Sequence, residues 1–90
     1  MTKAQELIAT FQAFKTVHEQ LRLDYKKICV QEFVKNCSEV TDRRLYAQEA
    51  LKELQEIYNT AYGLFIYNDK KQLDDVYERL LLCKIELGKI

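Results

Sequence analysis

A chain of 90 residues that is 48% apolar, with no proline and two glycines, can bury a core but has few of the turn-forming residues that β-sandwiches and barrels need. Its 14 basic and 14 acidic residues give a formal net charge of zero, so it lacks the long-range field that gathers nucleic acid or an anionic membrane surface. No apolar run reaches membrane-spanning length. We therefore predict an all-α protein that does not insert into a membrane, with residues 1–90 forming a single helical domain.

Three cysteines, Cys29, Cys37 and Cys83, bear on the compartment in which the chain works. An odd number does not suit a disulfide framework, and the first residues lack the apolar stretch of a secretory signal. Reduced thiols are the normal state in the cytosol. We therefore expect a cytoplasmic protein whose cysteines are neither bridged nor bound to metal and serve as small apolar core residues.

The first predicted helix covers about residues 3–36. Thr2 suits the N-cap position, and Gln5 follows three residues later, which is the spacing of a capping box. The only histidine, His18, falls within the apolar stripe of this helix, so we predict a structural role for it rather than a catalytic one. The stripe advances in steps of three and four, the pattern of a helix face turned toward a core: Ala4, Leu7, Phe11, Phe14, His18, Leu21, Tyr25 and Ile28.

The stripe shifts by one position after Ile28, which would place Glu32 outside the core. The shift indicates a local change of winding or a new packing partner. We predict a small antiparallel three-helix bundle with a long first helix. A break near residues 29–33 would instead give a four-helix bundle. The apolar residues after the shift are Cys29, Phe33, Cys37 and Val40.

The second predicted helix covers about residues 42–66. Thr41 suits its N-cap, although three-four spacing could also be continued through residues 36–42 as one unbroken helix. Gly63 lies inside the helix, where it would either permit a close helix crossing or loosen the helix end. The stripe of this helix repeats in steps of four and three: Ala47, Leu51, Leu54, Tyr58, Ala61 and Phe65.

The third predicted helix covers about residues 70–87. Asn68 and Asp69 both suit its N-cap, and Gln72 follows Asp69 at capping-box spacing. Gly88 follows the last core position and is predicted to be the C-cap. The core face of this helix is predicted to carry Leu73, Val76, Tyr77, Leu80, Cys83 (or Lys84) and Leu87.

No group of residues in the sequence has the spacing of a catalytic, metal-binding or cofactor-binding motif. The cysteines lack the close pairs typical of zinc sites, and there is no glycine-rich phosphate loop or nucleophile motif. We therefore predict a protein that is not an enzyme and needs no cofactor. Two basic pairs, Arg43–Arg44 and Lys70–Lys71, support an alternative function as a nucleic-acid-associated regulator, although the adjacent Asp42 and Asp69 weaken their field.

A protein-binding surface is predicted where the first and second helices meet at one end. The predicted first helix is about 50 Å long and the second about 37 Å, at about 1.5 Å per residue. The first turns of helix one would then project beyond the bundle, and a homodimer or a partner protein would cover them. The predicted interaction residues, including four crowded around the end of helix two, are Leu7, Ile8, Phe11, Tyr62, Phe65, Ile66 and Tyr67.

A helical bundle of this length, with aromatic residues near its last helix junction, resembles the immunity proteins that protect bacteria from their own bacteriocins. The likeness is one of length and shape, and no motif carries it. The sequence as a whole favours a non-enzymatic protein-protein interaction module that acts through an apolar and aromatic surface. An adaptor, an inhibitor, a small chaperone and an immunity-type factor all fit that description.

Overall fold

The computed structural model describes residues 2–89, so Met1 and Ile90, the two ends of the predicted domain, lie outside it. Within this range the chain forms α1 (Lys3–Asn36), α2 (Asp42–Ile66) and α3 (Lys70–Gly88), and no strand. Every pair of helices is in contact, and the bundle measures 52 × 19 × 16 Å. The predicted all-α bundle of three helices with a long first helix is confirmed.

The beginning of α1 follows the predicted capping box. The hydroxyl of Thr2 accepts a hydrogen bond from the backbone N–H of Gln5 at 3.2 Å, and the Gln5 side chain accepts one from the Thr2 N–H at 3.0 Å. These bonds satisfy two N–H groups that a helix start otherwise leaves without partners. From there one face of α1 stays buried along its whole length: Leu7, Phe11, Phe14, His18, Leu21, Tyr25, Ile28 and Glu32.

Two buried hydrogen bonds tie α1 to the other helices. His18 Nε2 lies 2.9 Å from the carbonyl oxygen of Leu54 on α2, and because a carbonyl can only accept, Nε2 must carry the proton. The Tyr25 hydroxyl donates to the carbonyl oxygen of Cys83 on α3 at 3.0 Å. His18 is 8% exposed, so its predicted structural role agrees with its position in the core.

The predicted phase shift in α1 is wrong, because the buried face continues through Glu32. Glu32 is 7% exposed, whereas Phe33 is 57% exposed. Cys37 and Val40, also expected in the core, are exposed. The carboxylate of Glu32 can be buried because it accepts hydrogen bonds from partners that replace water. α1 therefore keeps its winding, does not break near residues 29–33, and turns its later apolar side chains outward.

The first turn sets how far α2 reaches along α1. α1 ends at Asn36, so the alternative of one unbroken helix is wrong, and Thr41 caps α2 by accepting a hydrogen bond from the Arg44 N–H at 3.2 Å. The Thr41 hydroxyl also donates to Glu32 Oε2 at 3.2 Å. α2 consequently starts beside Glu32, about one helical turn before the end of α1. Its far end therefore lies one turn closer to the beginning of α1 than it would if α2 started level with Asn36.

The second turn joins two capping motifs, one that ends α2 and one that begins α3, and Asp69 takes part in both. Asn68 has a left-handed backbone, with φ of 60°. Its N–H donates to the Phe65 carbonyl at 3.2 Å, and the Asp69 N–H donates to the Leu64 carbonyl at 2.9 Å, which is the Schellman pattern. Asp69 then caps α3, accepting from the Gln72 N–H at 3.1 Å. Asn68 therefore ends α2 and does not begin α3.

Two of the roles predicted for the glycines, a C-cap at Gly88 and a close helix crossing at Gly63, are wrong. Gly88 is the last residue of α3, and no glycine has a positive φ, so a glycine C-cap is not observed. Nothing lies within 4 Å of a Cβ added to Gly63, so this residue does not permit a close helix crossing.

α3 is the shortest of the helices and leaves one end of the α1–α2 hairpin uncovered. Leu87 and Gly88 line a shallow depression with Leu21 and Asp24 of α1. The part of α1 beyond Ile28, about two turns and roughly 12 Å long, therefore pairs with the beginning of α2 rather than with α3. The bundle has three helices in its middle and a two-helix hairpin at this end.

Candidate interaction surface

The structure divides the predicted interaction residues into a buried set, an exposed set and the half-buried Phe65. Leu7 and Phe11 are 5% and 7% exposed, so the predicted overhang of α1 is wrong and neither residue is available to a partner. The ring of Phe65 stacks on that of Phe11 with 4.5 Å between centroids. The turn between α2 and α3 lies beside Leu7, because the register set at Glu32 carries α2 further than helix lengths alone suggest.

Four of the predicted residues remain exposed at this end of the bundle, and we call them the aromatic-end patch. Ile8, Tyr62 and Ile66 are each about half exposed, and Tyr67 is 83% exposed. Tyr62 has its ring centroid 6.4 Å from those of Phe11 and Tyr58, so one side of its ring is held against the core. The aromatic-end patch is the set Ile8, Tyr62, Ile66 and Tyr67.

The aromatic-end patch continues into a shallow groove between α1 and α2, on the side of the bundle opposite α3. Lys15, Glu19 and Arg22 of α1 line this groove with Gln55 and Tyr58 of α2. Glu19 and Arg22 form an ion pair at 2.7 Å, and this hydrogen bond lowers the pKa of Glu19 and raises that of Arg22. Their charges are thereby matched within the groove.

Lys15 is the remaining charged residue of the groove. Its Nζ lies 5.8 Å from the ring centroid of Phe11, a cation–π distance. Among residues 2–89 no carboxylate lies within ion-pairing distance of it. The groove therefore presents one cation without an acidic partner.

A second apolar region, which sequence reasoning missed, covers the uncovered end of the hairpin. We call it the hairpin-tip patch. The guanidinium of Arg44 lies 5.5 Å from the ring centroid of Phe33, and its Nε and Nη1 are buried without a hydrogen-bond partner. Continuing the three-four spacing from Ile28 to Glu32 would have revealed the patch, because it turns the following residues outward. Its members are Val30, Phe33, Val34, Val40 and Leu45.

Comparison of the chain with protein-family models, with curated proteins and with solved structures found no match. Among residues 2–89 no helix is both long enough and apolar enough to cross a membrane. Within the same described range no three His, Cys, Asp or Glu side chains are grouped as metal ligands.

The basic pairs that support the nucleic-acid alternative make contacts within the protein. Arg43 pairs with Glu32 at 3.2 Å and Lys70 with Asp74 at 2.9 Å, and the bond to Asp74 raises the pKa of Lys70. The guanidinium of Arg44 lies over the ring of Phe33 at a cation–π distance. Three of the four side chains are thus engaged, so the geometry does not favour the nucleic-acid alternative.

The cysteines differ in their surroundings. Cys83 is buried and Cys29 half-buried, and burial raises the pKa of both thiols. Cys37 is exposed at the end of α1, with φ of 39°. The predicted role as a small core residue therefore fits Cys83 and, in part, Cys29, and is wrong for Cys37.

Proposed function

We propose that this protein is a non-enzymatic protein–protein interaction module that binds its partner through the aromatic-end patch. The supporting observation is that Ile8, Tyr62, Ile66 and Tyr67 stay exposed although the core of the bundle is complete beneath them. Exposed aromatic and aliphatic side chains grouped at one place are typical of contact surfaces. The cytoplasm, where thiols stay reduced, is the proposed location.

The shape of the patch suits a partner that lies across the two helices. Tyr62 is anchored by its neighbours Phe11 and Tyr58, so little side-chain freedom is lost when a partner covers it. Rigid aromatic side chains of this kind dominate the binding energy of many interfaces. Self-association through a projecting end of α1 no longer has a basis, because Leu7 and Phe11 are buried.

Affinity capture with matched variants tests this proposal. Tagged wild-type protein is used to capture proteins from the native host, and the bound proteins are identified by mass spectrometry. A double variant of the aromatic-end patch, Ile8→Ser with Ile66→Ser, is expected to lose the partner. Leu23→Ser, which alters an equally exposed residue elsewhere on α1, is expected to keep it.

The hairpin-tip patch supplies the second comparison. A Val30→Ser, Val34→Ser variant removes two exposed apolar residues at the opposite end of the molecule and is expected to retain the partner. If this variant alone loses the partner, the protein is an interaction module, but it binds through the hairpin-tip patch and not through the aromatic-end patch. Equal capture by every variant and the wild type would overturn the proposal.

A further inference from the structure

The outer face of α3 carries a stripe whose composition complements the groove. Asp75, Glu78, Leu82 and Ile85 follow one another in steps of three and four, which places them on one side of the helix. All four are exposed. Leu82 and Ile85 are 61% and 57% exposed, and within the described residues Asp75 and Glu78 form no ion pair.

The acidic residues of this stripe are as far from its apolar residues as Lys15 is from Ile8 on α1. Asp75 precedes Leu82 by seven residues, and Glu78 precedes Ile85 by seven. On α1, Lys15 lines the groove, and Ile8, seven residues earlier, lies on the same side of the helix. Seven residues correspond to about 10 Å along a helix axis, so both pairs can be in contact at once.

We infer that the outer face of α3 from a second copy of this chain docks in the α1–α2 groove. This inference rests on the proposed function and identifies its partner. The carboxylates of Asp75 and Glu78 face the ammonium group of Lys15, while Leu82 and Ile85 cover Ile8 and Tyr62. The docked α3 runs antiparallel to α1. Along α3 the acidic residues come before the apolar ones, whereas along α1 the apolar Ile8 comes before Lys15, so the two helices match only when they run in opposite directions.

The two surfaces of one molecule point in opposite directions. The groove lies between α1 and α2 on the side away from α3, and the stripe is on the outward side of α3. Two copies therefore cannot satisfy both contacts in a closed pair, and each contact leaves one groove and one stripe free. Such a heterologous contact continues from copy to copy and gives open chains or larger rings.

The contact is small, and the association is accordingly weak. A docked α3 of 19 residues is about 28 Å long, and the bundle is 19 Å across. The contact thus covers at most about 500 Å² on each copy, near the lower limit for specific complexes. Assembly should depend on protein concentration, and it should weaken with salt through the Lys15 contact.

Sedimentation of two complementary variants tests this contact. The groove variant, Ile8→Glu with Lys15→Glu, keeps an intact stripe. The stripe variant, Leu82→Glu with Ile85→Glu, keeps an intact groove. All four positions are exposed, so both variants should fold, and circular dichroism and thermal unfolding check this. Each is measured alone and as an equimolar mixture with the other, up to about 0.5 mM, where even weak contacts are populated.

The wild type is expected to show an average mass that keeps rising with concentration beyond that of a dimer. Each variant alone should stay monomeric, and the mixture should form a one-to-one pair that does not grow. A wild type that stays monomeric would overturn the inference, as would variants that associate like the wild type. A mixture that fails to pair would also overturn it, because a two-fold contact would then explain the loss in both variants.

Sedimentation and affinity capture together separate this inference from the proposed function. A monomeric wild type that still captures another protein through the aromatic-end patch would leave the interaction module in place and remove only the second copy as its partner. A wild type that neither self-associates nor captures another protein would overturn the proposed function itself.

Discussion

Arg43 at the start of α2 reaches back to the buried carboxylate of Glu32 on α1, with 3.2 Å between Nη1 and Oε1. The same carboxylate accepts from the Thr41 hydroxyl at 3.2 Å and from the Asn36 amide at 3.3 Å. One side chain thus holds the end of α1, the turn and the beginning of α2 together. These contacts place the beginning of α2 beside Glu32, and in this register Leu7 is buried at the far end.

Substitutions at Glu32 and Arg43 should show how much the hydrogen bonds of the Glu32 carboxylate contribute to the free energy of unfolding. Glu32→Ala is expected to lower the free energy of unfolding by about 1–3 kcal/mol, because three donors lose their buried acceptor. Glu32→Gln keeps an oxygen acceptor and should cost less. Arg43→Ala should cost about 0.5–1 kcal/mol, since Arg43 is 45% exposed and exposed pairs contribute little. Urea unfolding gives the three values, and equal losses for Glu32→Gln and Glu32→Ala would argue against the hydrogen bonds.

Substitution of Leu54 should show that the stripe of α2 forms the centre of the core. Leu54 is 1% exposed, and its carbonyl accepts the hydrogen bond from His18. Leu54→Ala is expected to cost about 2–5 kcal/mol, the range for a well-packed leucine, which can abolish folding in a protein of this size. Leu23→Ala, at a half-exposed position, serves as the control and should cost less than about 1 kcal/mol. Similar losses at the two positions would contradict the assigned core face.

The turn between α2 and α3 should respond differently to changes at its two central residues. Asn68→Gly keeps the left-handed backbone at little cost, whereas Asn68→Ala forces a Cβ into it and is expected to cost about 1 kcal/mol. Asp69→Ala removes the cap of α3 and should also cost about 1 kcal/mol. Thermal unfolding of the three variants provides the measurement. If Asn68→Gly were as damaging as Asn68→Ala, the side chain of Asn68 and not its backbone would be the important feature.

The helices could be predicted because their signals are local. Capping residues lie beside the segments that they cap, as with Thr2 and Gln5, and the spacing of apolar residues depends on the helix alone. For Glu32 the two signals conflict, because its charge predicts exposure whereas its position in the three-four repeat predicts burial, and the structure buries it. Its partners, Arg43 and Thr41, come from a different part of the chain and cannot be recognised from spacing.

The candidate surface depends on which faces the other helices cover, and this is why it was only partly predicted. Ile8 and Tyr62 are exposed as expected, but Leu7 and Phe11 are covered because the register of α2 is set more than 30 Å away, at about 1.5 Å per residue. The exposed side of α3 and the α1–α2 groove cannot be recognised from spacing alone, because both depend on how the three helices pack.

Alkaline pH should destabilise the fold through two buried groups on α1 and α3. Burial is the main cause that raises the pKa of Tyr25, with smaller contributions from Tyr46 and Cys83, and burial likewise raises the pKa of the Cys83 thiol. Both groups therefore stay protonated in the folded protein at a pH where they ionise in the unfolded chain. Because the unfolded state then binds fewer protons, stability falls as pH rises.

The fall should begin near the ordinary pKa of a thiol, about 8.5, and steepen near that of a phenol, about 10.

Tyr25→Phe loses the hydrogen bond to the Cys83 carbonyl, so it should be less stable than the wild type at pH 7, by about 1 kcal/mol. Above about pH 10 it should lose less further stability than the wild type, because no phenol remains to ionise at that site. The free energy of unfolding measured in urea at a series of pH values gives both slopes. Tyr67→Phe, at a phenol that is 83% exposed, is the matched control and should keep the wild-type slope. If Tyr25→Phe also kept that slope, ionisation of Tyr25 would not drive the alkaline loss, and the thiols of Cys83 and Cys29, whose pKa values burial raises, would have to account for it.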